Sequence, residues 1–285
     1  MVKNIAKSVR AKLLNISKQE GQVYQTVITR YIYERLLYRL SISDYRDKFC
    51  LKGGTLLYAM EREYARPTLD VDFLGIKIKN DEINIKNIFT EICSIECAED
   101  GVLFDYDEIT TTQIAEDAKY TGVRVSVTAH FDTIKQLMKM DIGFGDIIIP
   151  KAIDITYPCF IDQMPSVNLL AYSLESVVAE KFNAMIERAD NNSRFKDFYD
   201  VYKILIANRV EKSILSEAIN STFQNRNTEY KESHVLFSEE FTNDETRQLQ
   251  WRKFLVKIKA KEKLEFNDVV ALITQELKPI YEKLK

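Results

Sequence analysis

Leu69-Asp70-Val71-Asp72-Phe73 is the stretch on which the reading of this chain turns. Alternate residues of a strand point to opposite faces, so Leu69, Val71 and Phe73 share an apolar side while Asp70 and Asp72 share the other. Two carboxylates this close repel one another, and a cation between them relieves the cost. A hard divalent ion with oxygen ligands, Mg²⁺ foremost, suits the pair and would also bridge nucleotide phosphates. The competing reading is the polar outer face of a half-exposed strand.

Upstream, Lys52-Gly53-Gly54-Thr55 precedes the apolar positions Leu56, Leu57 and Met60. The glycines would bring bare backbone amides to a helix N-terminus, where Gly53, Gly54 and Thr55 could seat a triphosphate. A plain turn is the commoner use of Gly-Gly. Downstream, Met138, Met140 and Ile142 alternate with Asp141, a candidate third acid that could ligate metal and orient or deprotonate an attacking hydroxyl. It could equally be an edge-strand aspartate beside a bulge at Gly143 and Gly145; Asp146 competes for the role from a poorer position.

Leu174, Val177, Val178, Phe182, Met185 and Ile186 then form a stripe at helical spacing, and Lys181 falls inside it. An inward ammonium must meet an anion, either a carboxylate or a ligand phosphate. The next helix, which Ser193 could cap, buries Phe195, Phe198, Tyr199 and Tyr202 and offers Asp197 and Asp200 as partners for Lys181. A purely structural ion pair between these helices is the alternative.

The 285 residues, 46% of them apolar, suffice for one or two domains. A net charge of −3 gives no global attraction for nucleic acid, which leaves local patches: Lys3, Lys7, Arg10 and Lys12, or Arg252, Lys253, Lys257, Lys259, Lys261 and Lys263 beside Trp251. Without an apolar run of about 18 residues, and with a charged start unlike a signal peptide, the chain is expected in the cytoplasm with no membrane partner. Cys50, Cys93, Cys97 and Cys159 read as reduced thiols. Cys93 and Cys97 could share a helix face, but only His130 and His234 could complete a zinc site.

Residues 5–40 carry helical periodicity. Between 49 and 157 the runs 69–78, 122–131 and 138–149 look β-like, interleaved with helices near 55–64 and 83–97. After Pro158 the β signal fades, and 173–188, 194–208, 211–223 and 267–284 look helical. The expectation is an α+β fold: N-terminal helices and an α/β domain over residues 1–160, then a helical domain over 161–285, closely packed with a cleft between them.

Several stretches together resemble the AbiEii-like nucleotidyltransferases, which include toxins of AbiE-type toxin-antitoxin systems. They are Ser8 to Leu14, Leu51-Lys52-Gly53-Gly54-Thr55-Leu56-Leu57, Arg66-Pro67-Thr68-Leu69-Asp70-Val71-Asp72, Tyr120 to Val125, Asp141-Ile142-Gly143-Phe144-Gly145-Asp146, Glu175 to Phe182, and Asn192 to Asp200. The resemblance implies a polymerase-β-like core, a mixed sheet with flanking helices, followed by a helical C-terminal domain. Its turn-plus-Asp-x-Asp signature is matched by Gly54, Thr55, Asp70 and Asp72, and its downstream lysine and aspartate by Lys181 and either Asp197 or Asp200. Gly-Gly-Thr stands where the wider superfamily often has Gly-Ser, and a hydroxyl is kept. A separate antitoxin partner and a tRNA acceptor are likewise implications of the resemblance.

The resulting expectation is an Mg²⁺-dependent enzyme moving a nucleoside monophosphate from an NTP to a hydroxyl, on RNA, with metal at Asp70, Asp72 and Asp141. Lys181 and Arg66 would contact phosphates. The rival readings are a small-molecule nucleotidyltransferase of the antibiotic-modifying type and a non-catalytic NTP-binding regulator.

Overall fold

The computed structural model of the protein describes residues 4–61, 66, 68–117, 120–188 and 194–285. Two N-terminal helices open the chain, α1 (Ile5–Gln19), capped by the Asn4 side chain on the Lys7 amide, and α2 (Tyr24–Ser41). The short strand β1 (Phe49–Lys52) runs straight into α3 (Gly53–Glu61). Next come β2 (Val71–Gly75), α4 (Glu82–Ser94), β3 (Val102–Phe104), β4 (Thr110–Asp117), β5 (Tyr120–Phe131), β6 (Ile134–Phe144), β7 (Ile153–Tyr157) and β8 (Val167–Ala171). Helices α5 (Leu174–Arg188), α6 (Phe195–Ile206), α7 (Lys212–Asn225), α8 (Glu239–Asn243), α9 (Glu245–Ile258) and α10 (Phe266–Tyr281) complete the order.

Two compact units result: described residues within 1–62, 68–145 and 153–171 form the first, and those within 63–67, 146–152 and 172–285 the second. The first is built on a mixed sheet in the order β3-β5-β6-β2-β1-β8-β7, with β4 also on β5. β2 lies antiparallel to β1 and parallel to β6, and β1 is parallel to β8. Its core joins Val71 and Phe73 to Val123, Val125, Met140 and Ile142, all buried, and Phe49 packs edge-on against Phe73 and Phe89. Helix α2 is buried on nearly every side, so its charged residues need internal partners. Arg39 finds Asp100 at 2.7 Å and the Ile95 and Val102 carbonyls at 2.9 Å.

The second unit packs α5 against α6 and α7, and α6 against α10. The stripe of Leu174, Val177, Val178, Phe182, Met185 and Ile186 is buried as the periodicity requires. Trp251 is buried among Phe195, Phe254 and Phe266, with its indole N–H donating to the Leu264 carbonyl at 2.8 Å.

Three details differ from the sequence reading. The strand Val167–Ala171 follows Pro158, where the β signal was expected to have faded; its buried Val167, Leu169 and Ala171 alternate over only five residues, too few to stand out. Asp141 is not on an edge strand, because β6 lies between β5 and β2. Helix α4 ends at Ser94, so Cys97 is not on one helix face with Cys93; all four cysteines carry free thiols. The proposed cap Ser193 and the basic residue Lys3 lie outside the described residues. Among the described residues, no helix is long and apolar enough to cross a membrane.

Candidate active site

Register brings the acids together. Asp72 on β2 stands opposite Lys52 on β1 and beside Asp141 on β6, which in turn stands opposite Arg124 on β5. Directly paired residues share a sheet face, so one face carries the row Lys52, Asp72, Asp141, Arg124, with two acids flanked by two bases. Adjacent strands lie about 4.8 Å apart, which sets the spacing of the two carboxylates. Asp70 is exposed and lies one residue before β2, which begins at Val71 rather than at Leu69 as the alternation had suggested.

The glycine turn is fitted to these acids. Gly53 opens α3 with φ +68°, a left-handed conformation that a side chain makes costly, and a Cβ there would lie 2.1 Å from Asp72 Oδ2. The backbone therefore lies against the Asp72 carboxylate at a point where only glycine fits. Gly53 and Gly54 stand at the helix N-terminus, whose amides are suited to an anion. Thr55 has a nearer task than phosphate: its hydroxyl donates to the Asp70 carbonyl at 2.6 Å and ties helix to acid strand. Gly53→Ala should lower unfolding stability by about 1–3 kcal/mol, the cost of a non-glycine residue in this region; a urea midpoint equal to wild type would refute the close approach.

Arg124 grips Asp141 through Nε and Nη2, each 2.7 Å from a different carboxylate oxygen. Those hydrogen bonds, and next the nearby negative charges, Asp70 and Asp72 included, raise the guanidinium pKa against the opposing effect of burial. Tyr33 of α2 completes the setting. Its hydroxyl donates to the Lys139 carbonyl and accepts from the Lys139 amide, both at 3.0 Å, one residue before β6 begins to pair with β2. Burial first, then repulsion from Asp70, Asp141 and Asp72, pushes its pKa up to about 12, so it stays protonated at neutral pH.

In the second unit, Lys181 Nζ lies 2.7 Å from Asp197 Oδ1 and 2.9 Å from Asp200 Oδ2. Both candidate aspartates meet the lysine, and Asp200 also receives the Arg66 guanidinium at 3.0 to 3.2 Å. Arg194 Nε lies 2.9 Å from the other Asp197 oxygen. Burial opposes the charge on Lys181, but the two aspartates outweigh it and hold its pKa above the ordinary lysine value. Burial likewise opposes charge on Asp197, and Lys181 with Arg194 pulls its pKa below the usual carboxylate range. Asp146 pairs with Arg226 at 2.8 Å in the same unit.

The sequence reading assigned no role to Lys52, Tyr33 or Arg124. Arg124 alternates with buried Val123 and Val125, which marks its face; its partner follows only from the register of β5 on β6.

The family model described as "Nucleotidyl transferase AbiEii toxin, Type IV TA system" matches residues 35–272. The chain belongs to the AbiEii nucleotidyl transferase toxin family. AbiEii membership makes it a nucleotidyltransferase of the toxin-antitoxin type and implies a nucleotide substrate and a cognate antitoxin. Enzymes of this reaction class generally use divalent metals. Two solved structures resemble this chain in fold. One is an H. pylori protein inferred to be a nucleotidyltransferase, 14% identical with TM-score 0.53, covering 92% of this chain and 97% of its own. The other is JHP933 from Helicobacter pylori, 12% identical with TM-score 0.51, covering 92% and 94%. No curated protein matches. The α+β nucleotidyltransferase fold expected from the sequence is thus the fold of this chain.

Proposed function

We propose that the enzyme transfers a nucleoside monophosphate from an NTP to a hydroxyl of RNA, with Mg²⁺ held by Asp70, Asp72 and Asp141. The observation that carries this reading is the side-by-side register of Asp72 and Asp141, next to a Gly53 backbone that leaves no room for a side chain. The donors are all carboxylate oxygens, the chemistry of a hard cation. Among the described residues, no three His, Cys, Asp or Glu side chains are already gathered at ligand spacing; exposed Asp70 would turn in to join the pair. The bound ion would neutralise phosphate charge and polarise the reacting phosphoryl group.

The chain's own residues supply the rest. The Gly53 and Gly54 amides would receive phosphate oxygens, and Thr55 would hold the acid strand in place through Asp70. Asp141 would take the proton of the attacking hydroxyl once its oxygens are released from Arg124. A phosphate contact by Lys181 or Arg66 would have to displace Asp197 or Asp200. RNA as acceptor is supported by Arg252, Lys253, Lys257 and Lys259, exposed along and just after α9 on a chain that is acidic overall. The N-terminal patch is a weaker candidate because Arg10 is engaged by Asp132 at 2.8 Å.

Incubation with each α-labelled NTP, total RNA and Mg²⁺ should label RNA, and EDTA should abolish the labelling. Label passing only to small hydroxyl compounds would replace the acceptor. No transfer from any NTP, together with a melting temperature raised by NTP and Mg²⁺, would identify a non-catalytic binder.

A further inference from the structure

We propose that Arg124 is a positioning residue that competes with the divalent cation for Asp141, so that cation binding at the acid row requires exchange of the guanidinium. The inference rests on the metal reading of the acid row. Its observation is separate: the guanidinium occupies both Asp141 oxygens, in the fork geometry that binds a carboxylate most specifically. The fork takes one lone pair of each Asp141 oxygen and sets a positive charge against both, so a cation or a proton has to compete with it for the carboxylate.

The row has a sharp asymmetry. Lys52, at its other end, is buried on the strand that leads into the glycine turn, whereas the Arg124 side chain is 41% exposed and Asp141 26% exposed. An arginine with that freedom can swing away without unfolding anything, and a half-exposed pair contributes little to folding. Its positive charge, a few ångströms from the row, also repels a divalent ion directly. Arg124 thus sets how much cation is needed before Asp141 is available. Once displaced, it presents a planar donor to phosphate on the same sheet face.

Mn²⁺ binding by isothermal titration calorimetry, without nucleotide, tests this on the full chain in wild type, Arg124→Gln and Arg124→Lys. The glutamine variant should bind Mn²⁺ about tenfold more tightly, because one competing positive charge is gone. The lysine variant, which keeps the charge and loses the fork, should fall between the two. Metal-free R124Q should melt close to wild type and gain more from Mn²⁺ than wild type does. Equal or weaker binding by R124Q overturns the inference and leaves the metal reading standing. No Mn²⁺ binding by wild type or R124Q overturns both. If R124Q does not fold, the lysine variant decides: tighter binding than wild type supports the exchange, and equal binding overturns it.

Discussion

Asp72→Asn should cut nucleotidyl transfer by at least about a hundredfold, the scale of removing one charge-stabilising group from an active centre. The change is nearly isosteric, so Gly53 keeps its close contact with the side chain. What is lost is one negative charge from a pair fixed by the register of β2 and β6. Asp70→Asn should behave alike, because Asp70 is a further carboxylate of the proposed metal site. Folding should survive both substitutions, and thermal stability should hold or rise as repulsion among the acids is relieved. Steady-state transfer and melting curves on the same samples separate the two effects. Near-wild-type turnover of both variants in Mg²⁺ would remove the acids from the chemistry.

Lys181→Met should instead strike the fold, with a loss of about 3–5 kcal/mol, the range for removing one partner of a buried ion pair. Asp197 has a 2% exposed side chain and Asp200 a 3% exposed one, so their charges have little water to turn to. Arg194 and Arg66 compensate in part, which places the effect toward the lower end. The pH dependence carries a sign. Asp197 has its pKa lowered by folding, so its contribution is present above the unfolded carboxylate pKa of about 3.9 and disappears as pH falls through the lower folded value. Asp197→Asn should therefore flatten the acid limb of the stability curve. Urea unfolding across pH measures both effects. Wild-type stability in K181M would show that this cluster does not hold the second unit together and would leave Lys181 to a substrate.

The two outcomes track what the residues disclosed in advance. The sheet face of Asp72 was legible because strand alternation is a local property, whereas Asp70 falls one residue before β2, a boundary that alternation does not mark. The buried stripe around Lys181 was legible because helical spacing is equally local, and the lysine's need for an anion follows from its place in that stripe. Which aspartate answers it was not legible: Asp197 and Asp200 are three apart on one helix, and α6 turns both toward Lys181. Lys52, Arg124 and Tyr33 were hidden for a different reason. Their roles arise from contacts across 17 or more positions, Arg124 with Asp141 across 17, Lys52 with Asp72 in register and Tyr33 on Lys139 across 106. Helix α9 escaped notice because most of it is solvated and Trp251 is its one fully buried anchor.

Tyr33 has a further consequence, in association between molecules. β2 pairs with β6 only from Met140 onward, and among the described residues no strand pairs that side of the preceding stretch from Ile134 to Lys139. Open strand edges invite the backbone of another chain and so seed aggregation. Here the phenol hydroxyl consumes the donor and acceptor of Lys139, and exposed Lys135 and Lys139 place charges where a docking strand would have to lie. The clamp that fixes the strand next to Asp141 also blunts a sticky edge, so a mutation freeing that hydroxyl would be felt first as poor solubility in crowded, concentrated protein.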